Sequence, residues 1–229
     1  MEAIKLKNIN RIYGNKVKTQ VLFDINLSIE QGEFVSIIGQ SGSGKSTMLN
    51  IIGTLDTPTS GEVYINGTRT DQMSKNQLAE LRNQEVGFIF QFHYLLPEFT
   101  VLENVLMPYR LSGKKVTPEI LARAERLLEI VNLSKVKNNK ATDLSGGQQQ
   151  RGAIARALIN NPKIILADEP TGNLDSNTTQ EVYKLLREIN KEFNTTFVII
   201  THDNRIAEMA DRVVTVKDGK IESDIKNKQ

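Results

Sequence analysis

Apolar residues recur along the chain with a period of two in some stretches and close to four in others, and the order of these stretches predicts the fold. Near the start, Ile4, Leu6 and Ile9 are separated by polar residues, and residues 21–29 are rich in β-formers, so both are expected to be strands. Residues 61–65 lead into Asn66-Gly67, a dipeptide suited to the tight reversal of a hairpin. An antiparallel sheet follows from these segments. Residues 34–38, 86–90, 163–167 and 196–200 are almost wholly apolar, as strands covered on both faces must be. Helical composition occupies 74–82, and 176–193 reads as an amphipathic helix. Strands alternating with helices imply a parallel sheet. A short helix over 203–210, a last hairpin at Asp218-Gly219 and a frayed tail over 226–229 complete the reading.

Between 92 and 160 the pattern is helical: Ile120, Leu121, Ala124, Leu127, Leu128 and Val131 recur at helical spacing, and Pro97, Pro108, Gly113 and Pro118 mark turns on the approach. The expected organisation is one domain of 229 residues. Residues 1–91 and 161–229 form a nucleotide-binding core with a β-subdomain, and 92–160 form a helical subdomain.

The reason for expecting a nucleotide lies just after the apolar strand at 34–38. Gly39, Gln40, Ser41, Gly42, Ser43, Gly44, Lys45, Ser46 and Thr47 follow an apolar strand and open onto a helix. Glycines there let successive backbone N–H groups turn toward one anion, and the helix adds the positive end of its dipole. The Lys45 ammonium can reach the β- and γ-phosphates, and the Ser46 hydroxyl can ligate Mg²⁺. ATP or a similar nucleotide is the expected ligand.

Composition narrows what else the chain can be. Charge is balanced, 29 basic against 27 acidic residues, which gives no reason to expect a nucleic acid as main ligand. With no cysteine and two histidines, disulfides and histidine-rich metal sites are excluded, so Mg²⁺ is expected to arrive with the nucleotide. Residues 1–7 carry charges where a signal peptide needs an apolar core, and no run of about 18 apolar residues occurs. The protein is expected in the cytoplasm, and work on a membrane would require another subunit to span it.

Asp168-Glu169 ends the apolar stretch 163–167 and so puts two carboxylates at the carboxyl edge of a parallel sheet, where open α/β folds bind ligands. Asp168 is assigned to Mg²⁺ and Glu169 to polarising the attacking water; the plainer alternative is a pair of exposed loop acids.

With Leu144-Ser-Gly-Gly-Gln148 placed about a hundred residues after Lys45, the chain resembles an ABC-type ATPase subunit over nearly its full length. The resemblance implies an α/β P-loop NTPase fold of the ABC ATPase kind, with a RecA-like core, an antiparallel β-subdomain and a helical subdomain. It also implies that Ser145, Gly146, Gly147 and Gln148 serve the nucleotide of the opposite subunit in a homodimer. Ser145 can donate a hydroxyl hydrogen bond, the two glycines leave amides accessible, and the following helix, expected over 148–160, points its dipole at the same phosphate. Other positions carry over from the resemblance. Gln91 matches a glutamine that senses Mg²⁺ and the attacking water, His202 a histidine on the γ-phosphate, and Thr47 a ligand of the α-phosphate. Tyr13 matches an aromatic stacked on adenine, or is an ordinary half-buried tyrosine. Asp175, in the loop 172–175, matches a residue at the dimer seam and can also cap the next helix. His93 has no motif support and is read as surface or partner contact.

Residues 90–105 and 166–175 resemble the branch that contains lipoprotein-releasing, macrolide-exporting, antimicrobial-peptide-resistance and cell-division ATPases, with Phe92 and Leu95-Leu96-Pro97 favouring the first of these. That implies an ATP-hydrolysing motor on the inner face of the cell membrane, coupled to an integral membrane subunit through the region after Gln91. The alternative within the branch is a regulatory ATPase gating a cell-division, cell-wall or peptide-resistance partner. A soluble protein of the family acting on ribosomes or DNA is disfavoured by the single nucleotide unit and balanced charge. A subset of apolar residues around 94–99 is expected to line a cleft for a short helix of the partner; internal packing is the competing use.

Overall fold

The computed structural model describes residues 1–14, 16–203, 207 and 209–227. The expected helix over 203–210 lies largely outside the described residues. Two sheets and a helical layer are built around two apolar clusters. The first sheet holds β1 (Glu2–Tyr13), β2 (Thr19–Glu30), β4 (Ser60–Ile65) and β5 (Thr68–Arg69) in the order β2-β1-β4-β5, all antiparallel. Asn66, at φ 46°, and Gly67 turn the β4–β5 hairpin as their dipeptide predicts.

The second sheet has the order β10-β9-β3-β8-β7-β6, from β3 (Phe34–Ile38), β6 (Val86–Phe90), β7 (Ile164–Asp168), β8 (Thr196–Ile200), β9 (Arg212–Lys217) and β10 (Lys220–Lys226). Neighbours from β9 through β6 run parallel, and β10 closes one edge antiparallel after the Asp218-Gly219 turn. Lys226 still pairs with Arg212, so the strand extends into the expected tail.

Alternation along the parallel strands feeds both clusters, because successive strand side chains point to opposite faces. Val35, Ile37, Leu166, Val198 and Ile200 join one cluster with Ile4, Leu6, Leu22 and Val63 of the first sheet and with Met48 and Leu49 of α1 (Lys45–Ile52). Phe34, Ile165, Ala167, Phe197 and Ile199 face the other way. There they meet Val182, Leu186 and Ile189 of α6 (Ser176–Phe193). The same cluster takes in residues of α3 (Val101–Leu111), α4 (Pro118–Ile130) and α5 (Gly146–Leu158), so the helical segment shares its apolar contacts with the sheet. Helix α2 (Lys75–Glu85) buries no residue and is started by a Ser74–Gln77 capping box.

Helix α5 begins two residues earlier than its composition suggests. Ser145 is its N-cap and accepts from the Gln148 amide, while Gln148 Oε1 accepts from the Ser145 amide. Gly146 and Gly147 thus fall inside the first turn, against the expectation of a helix starting at Gln148.

Candidate active site

The loop between β3 and α1 is shaped by glycine. Gly44 holds φ 102° as the N-cap residue of α1, and a Cβ on Gly39 would lie 2.1 Å from the Val216 carbonyl oxygen, so neither position tolerates a side chain. No side chain caps α1 and no acidic residue sits in its first turn, which leaves its leading amides directed at the loop. Lys45 is buried and donates to the carbonyls of Gly39 at 2.9 Å and Gln40 at 2.8 Å. A buried ammonium hydrogen-bonded to neutral carbonyls is a strong anion seeker.

A cleft of about 540 Å³ opens beside this loop, lined by Val21, Gly39, Ser41, Gly42, Gly44, Lys45, Ser46, Thr47, Glu169 and His202. Asp168 ends β7 and accepts from Ser46 Oγ at 3.4 Å. Burial pushes its carboxyl above the usual aspartate range and the neighbouring Glu169 charge adds to that, while the Ser46 hydroxyl and Lys45 pull the other way. Glu169 follows at φ 45°, a left-handed conformation that is costly for a side-chain-bearing residue, and its Oε2 lies 3.3 Å from His202 Nδ1. The fold therefore brings together loop, two carboxylates and histidine from three separate segments.

Other expected site residues stand elsewhere. Ser145, Gly146, Gly147, Gln148 and Asp175 line a second cleft of about 530 Å³ with Arg151, Asn173 and Thr178. Asp175 caps α6, accepting from the amides of Asn177 and Thr178 at 3.0 Å. Gln91 lies just past β6 with its side chain against Gly172, at 2.6 Å from where a Cβ would stand, and is not among the residues lining the loop cleft. Gln40 and Ser43 belong to the loop through their backbones: the Gln40 carbonyl accepts from Lys45 and from the Ser43 amide. Tyr13 also lies off the cleft lining. Its hydroxyl donates to Asp56 at 2.6 Å and one ring face is covered by the Arg11 guanidinium, 4.3 Å from the centroid. Asp56 and Arg11, which hold that ring, carry no sequence signal because their pairing spans 45 residues.

Apolar residues after Gln91 divide between two uses. Leu95 and Leu102 pack on the helical cluster, Leu96 receives a hydrogen bond on its carbonyl from Asn104, and Phe92 and Tyr94 remain exposed. A groove of about 630 Å³ lies alongside, with Leu55, Phe88, Phe90 and Leu111 as its apolar lining; none of residues 94–99 lines it, against the expectation of a cleft there. Tyr94 meets its edge, 5.5 Å from the Phe90 ring. No helix among the described residues is long and apolar enough to cross a membrane.

A glycine-built loop at the end of a parallel strand, with a buried lysine and two carboxylates beside it, defines a nucleoside-triphosphatase of the phosphate-loop class. The sequence pattern of the ABC transporter family matches residues 22–172, and the chain belongs to that family. It is 49% identical over 222 residues to the lipoprotein-releasing system ATP-binding protein LolD 1 of Rhodopseudomonas palustris, covering 96% of this chain and 98% of that one. To LolD of Shewanella frigidimarina it is 49% identical over 217 residues, covering 94% and 90%. Among solved structures it is similar to a dimeric, post-hydrolysis state of the ATP-binding cassette MJ0796 bound to ADP and Pi, at 45% identity, TM-score 0.90 and 99% coverage of both chains. A second dimeric structure of MJ0796, described as a bacterial ABC transporter cassette, matches at 46% identity with the same TM-score.

Proposed function

We propose that this chain is the ATP-hydrolysing subunit of a membrane complex that releases lipoproteins. It works as a homodimer in which each nucleotide is gripped by the loop of one protomer and covered by the Ser145 cap of the other. The observation that carries this reading is the separation of the chemistry: the loop cleft and the Ser145 cleft share no lining residue within one protomer. Two copies arranged head to tail join them.

In that arrangement Lys45 neutralises the β- and γ-phosphates, Thr47 bonds the α-phosphate, and the amides from Gly42 onward cradle the chain of phosphates. Ser46 and Asp168 form an all-oxygen pair that fits Mg²⁺; these two, with Gln91, would hold the ion, which would supply charge neutralisation at the phosphates. Glu169 positions and polarises the attacking water. His202, adjacent to it, holds the γ-phosphate in line. Tyr13, steadied by Arg11 and Asp56, offers its free face to adenine, and Asp175 lies at the seam. Residues 1–91 with 161–229 form the gripping half of the protomer, and 92–160 the covering half.

The groove lined by Leu55, Phe88, Phe90 and Leu111 receives a short helix of the integral membrane subunit, and the protein works at the inner face of the membrane. The test is reconstitution. Purified with its membrane partner in proteoliposomes that hold a lipoprotein, the chain should release the lipoprotein only with ATP and Mg²⁺. Leu111→Asp, on an exposed rim residue, should lose the partner while the isolated subunit hydrolyses ATP normally. A complex that hydrolyses ATP with partner bound yet leaves the lipoprotein in the bilayer would refute the assignment.

A further inference from the structure

The segment after Gln91 is tied to α5 by three side-chain hydrogen bonds that no motif announces. His93 Nε2 lies 2.9 Å from the Gly146 carbonyl oxygen. Arg156 donates to the His93 carbonyl at 2.6 Å and to the Tyr94 carbonyl as well. Gly146 offers the ring only a carbonyl oxygen, so the contact requires a hydrogen on the facing ring nitrogen. Because a carbonyl oxygen only accepts, that hydrogen is on Nε2 and the ring donates.

The acceptor matters because the Gly146 C=O and the Gly147 N–H belong to one peptide unit. A donor on the oxygen draws electron density from the nitrogen and strengthens the N–H as a donor in turn, as in any chain of hydrogen bonds. Gly147 is the second residue of α5, where an amide has no acceptor in its own helix, and the Ser145 hydroxyl is taken by the Gln148 amide. The polarised amide is therefore free to meet an anion.

We propose that His93 is a positioning residue for nucleotide sandwiching: its bond to Gly146 orients and polarises the Gly146–Gly147 peptide toward the γ-phosphate held by the other protomer. This role rests on the shared-site reading above. It also gives the membrane-facing segment a line to the cap, since Phe92 and Tyr94, which flank His93, are 60% and 63% exposed.

The test uses the full chain carrying Glu169→Gln, with Mg-ATP-driven dimerisation followed by analytical ultracentrifugation. His93→Phe keeps a ring and deletes the donor, His93→Asn sets its amide too far back to reach Gly146, and His93→Gln places an N–H near the reach of Nε2. His93→Phe and His93→Asn should raise the Mg-ATP concentration for half-maximal dimer by about 5-fold or more, the loss of one neutral hydrogen bond. His93→Gln should stay within about 2-fold of the parent. Nucleotide affinity of the monomer should be unchanged in all three, which separates docking from misfolding. In ¹⁵N–¹H spectra of the nucleotide-free chain, the Gly147 amide proton should move upfield in His93→Phe and return in His93→Gln. Parent-like dimerisation of His93→Phe, or His93→Gln no better than His93→Phe, overturns the role of His93 alone. A parent chain that stays monomeric at saturating Mg-ATP overturns the shared site and this role with it.

Discussion

A methyl group added at Gly147 should meet a single obstacle, and removing that obstacle should restore the protein. A Cβ there would lie 2.7 Å from Thr178 Cγ2, with no other heavy atom outside its own helix within 4 Å. Carbon atoms prefer a separation of about 3.5–4.0 Å, so the overlap is roughly 1 Å. Thr178 cannot turn aside freely, because its hydroxyl donates to Asp175 Oδ2 at 2.6 Å and its amide to Oδ1 at 3.0 Å. Overpacking of this kind costs about 1–3 kcal/mol, while exchanging glycine for alanine inside a helix returns up to about 1 kcal/mol. Gly147→Ala should thus destabilise by about 1 kcal/mol, a fall in Tm of about 2–4 °C for a chain of this size. Thr178→Ser keeps the hydroxyl and deletes the methyl, so in that background Gly147→Ala should be neutral or stabilising. Urea unfolding of the two single variants and the double variant closes a cycle whose coupling energy is expected at about 1–3 kcal/mol. Additivity within about 0.5 kcal/mol would refute the steric argument.

Two further outcomes follow from the carboxylates. Glu169→Gln should leave nucleotide affinity intact while slowing phosphate release at least about 10²-fold, the loss of a positioned base; a variant with near-normal turnover would remove Glu169 from that role. Asp168→Asn should abolish Mg²⁺-dependent hydrolysis yet stabilise the nucleotide-free chain at neutral pH. The sign follows from a folded-state pKa raised above 3.8: the folded carboxylate is disfavoured, so wild-type stability is lost as pH rises through the folded pKa. In chemical denaturation across pH, the advantage of Asp168→Asn should therefore be present at neutral pH, shrink as pH falls through that raised value and vanish near 3.8.

Much of this was legible in the chain. Helix α6 and strand β8 have the bounds that their patterns give, because each is a single unbroken period ending at a turn residue. The loop, Asp168 and Glu169 are local motifs, and the fold sets Glu169 in the loop cleft and Asp168 against Ser46 beside it, as their order along the sheet implies. The start of α5 departs from the pattern because Gly146 and Gly147 read as loop, although Ser145 and Gln148 have the spacing of a capping box. What sequence reasoning missed depends on long-range pairing. His93 finds its acceptor 53 residues away, Arg11 finds Asp56 at 45, and the groove draws its apolar lining from α2's neighbouring strand, α3 and the turn after α1. No periodicity within one segment encodes such meetings.

The left-handed backbone at Glu169 has a consequence for how this position can vary. Consecutive residues of a straight strand would project to opposite sides, and the twist at φ 45° is what allows Asp168 and its neighbour to serve the same edge. A glycine there would relax the main chain by about 1–2 kcal/mol while deleting the acid, so conformational comfort and chemical competence pull the choice of residue in opposite directions. With Glu169 in the role proposed for it, any search for sturdier variants that ranks them on folding alone will drift toward inert proteins at this one site.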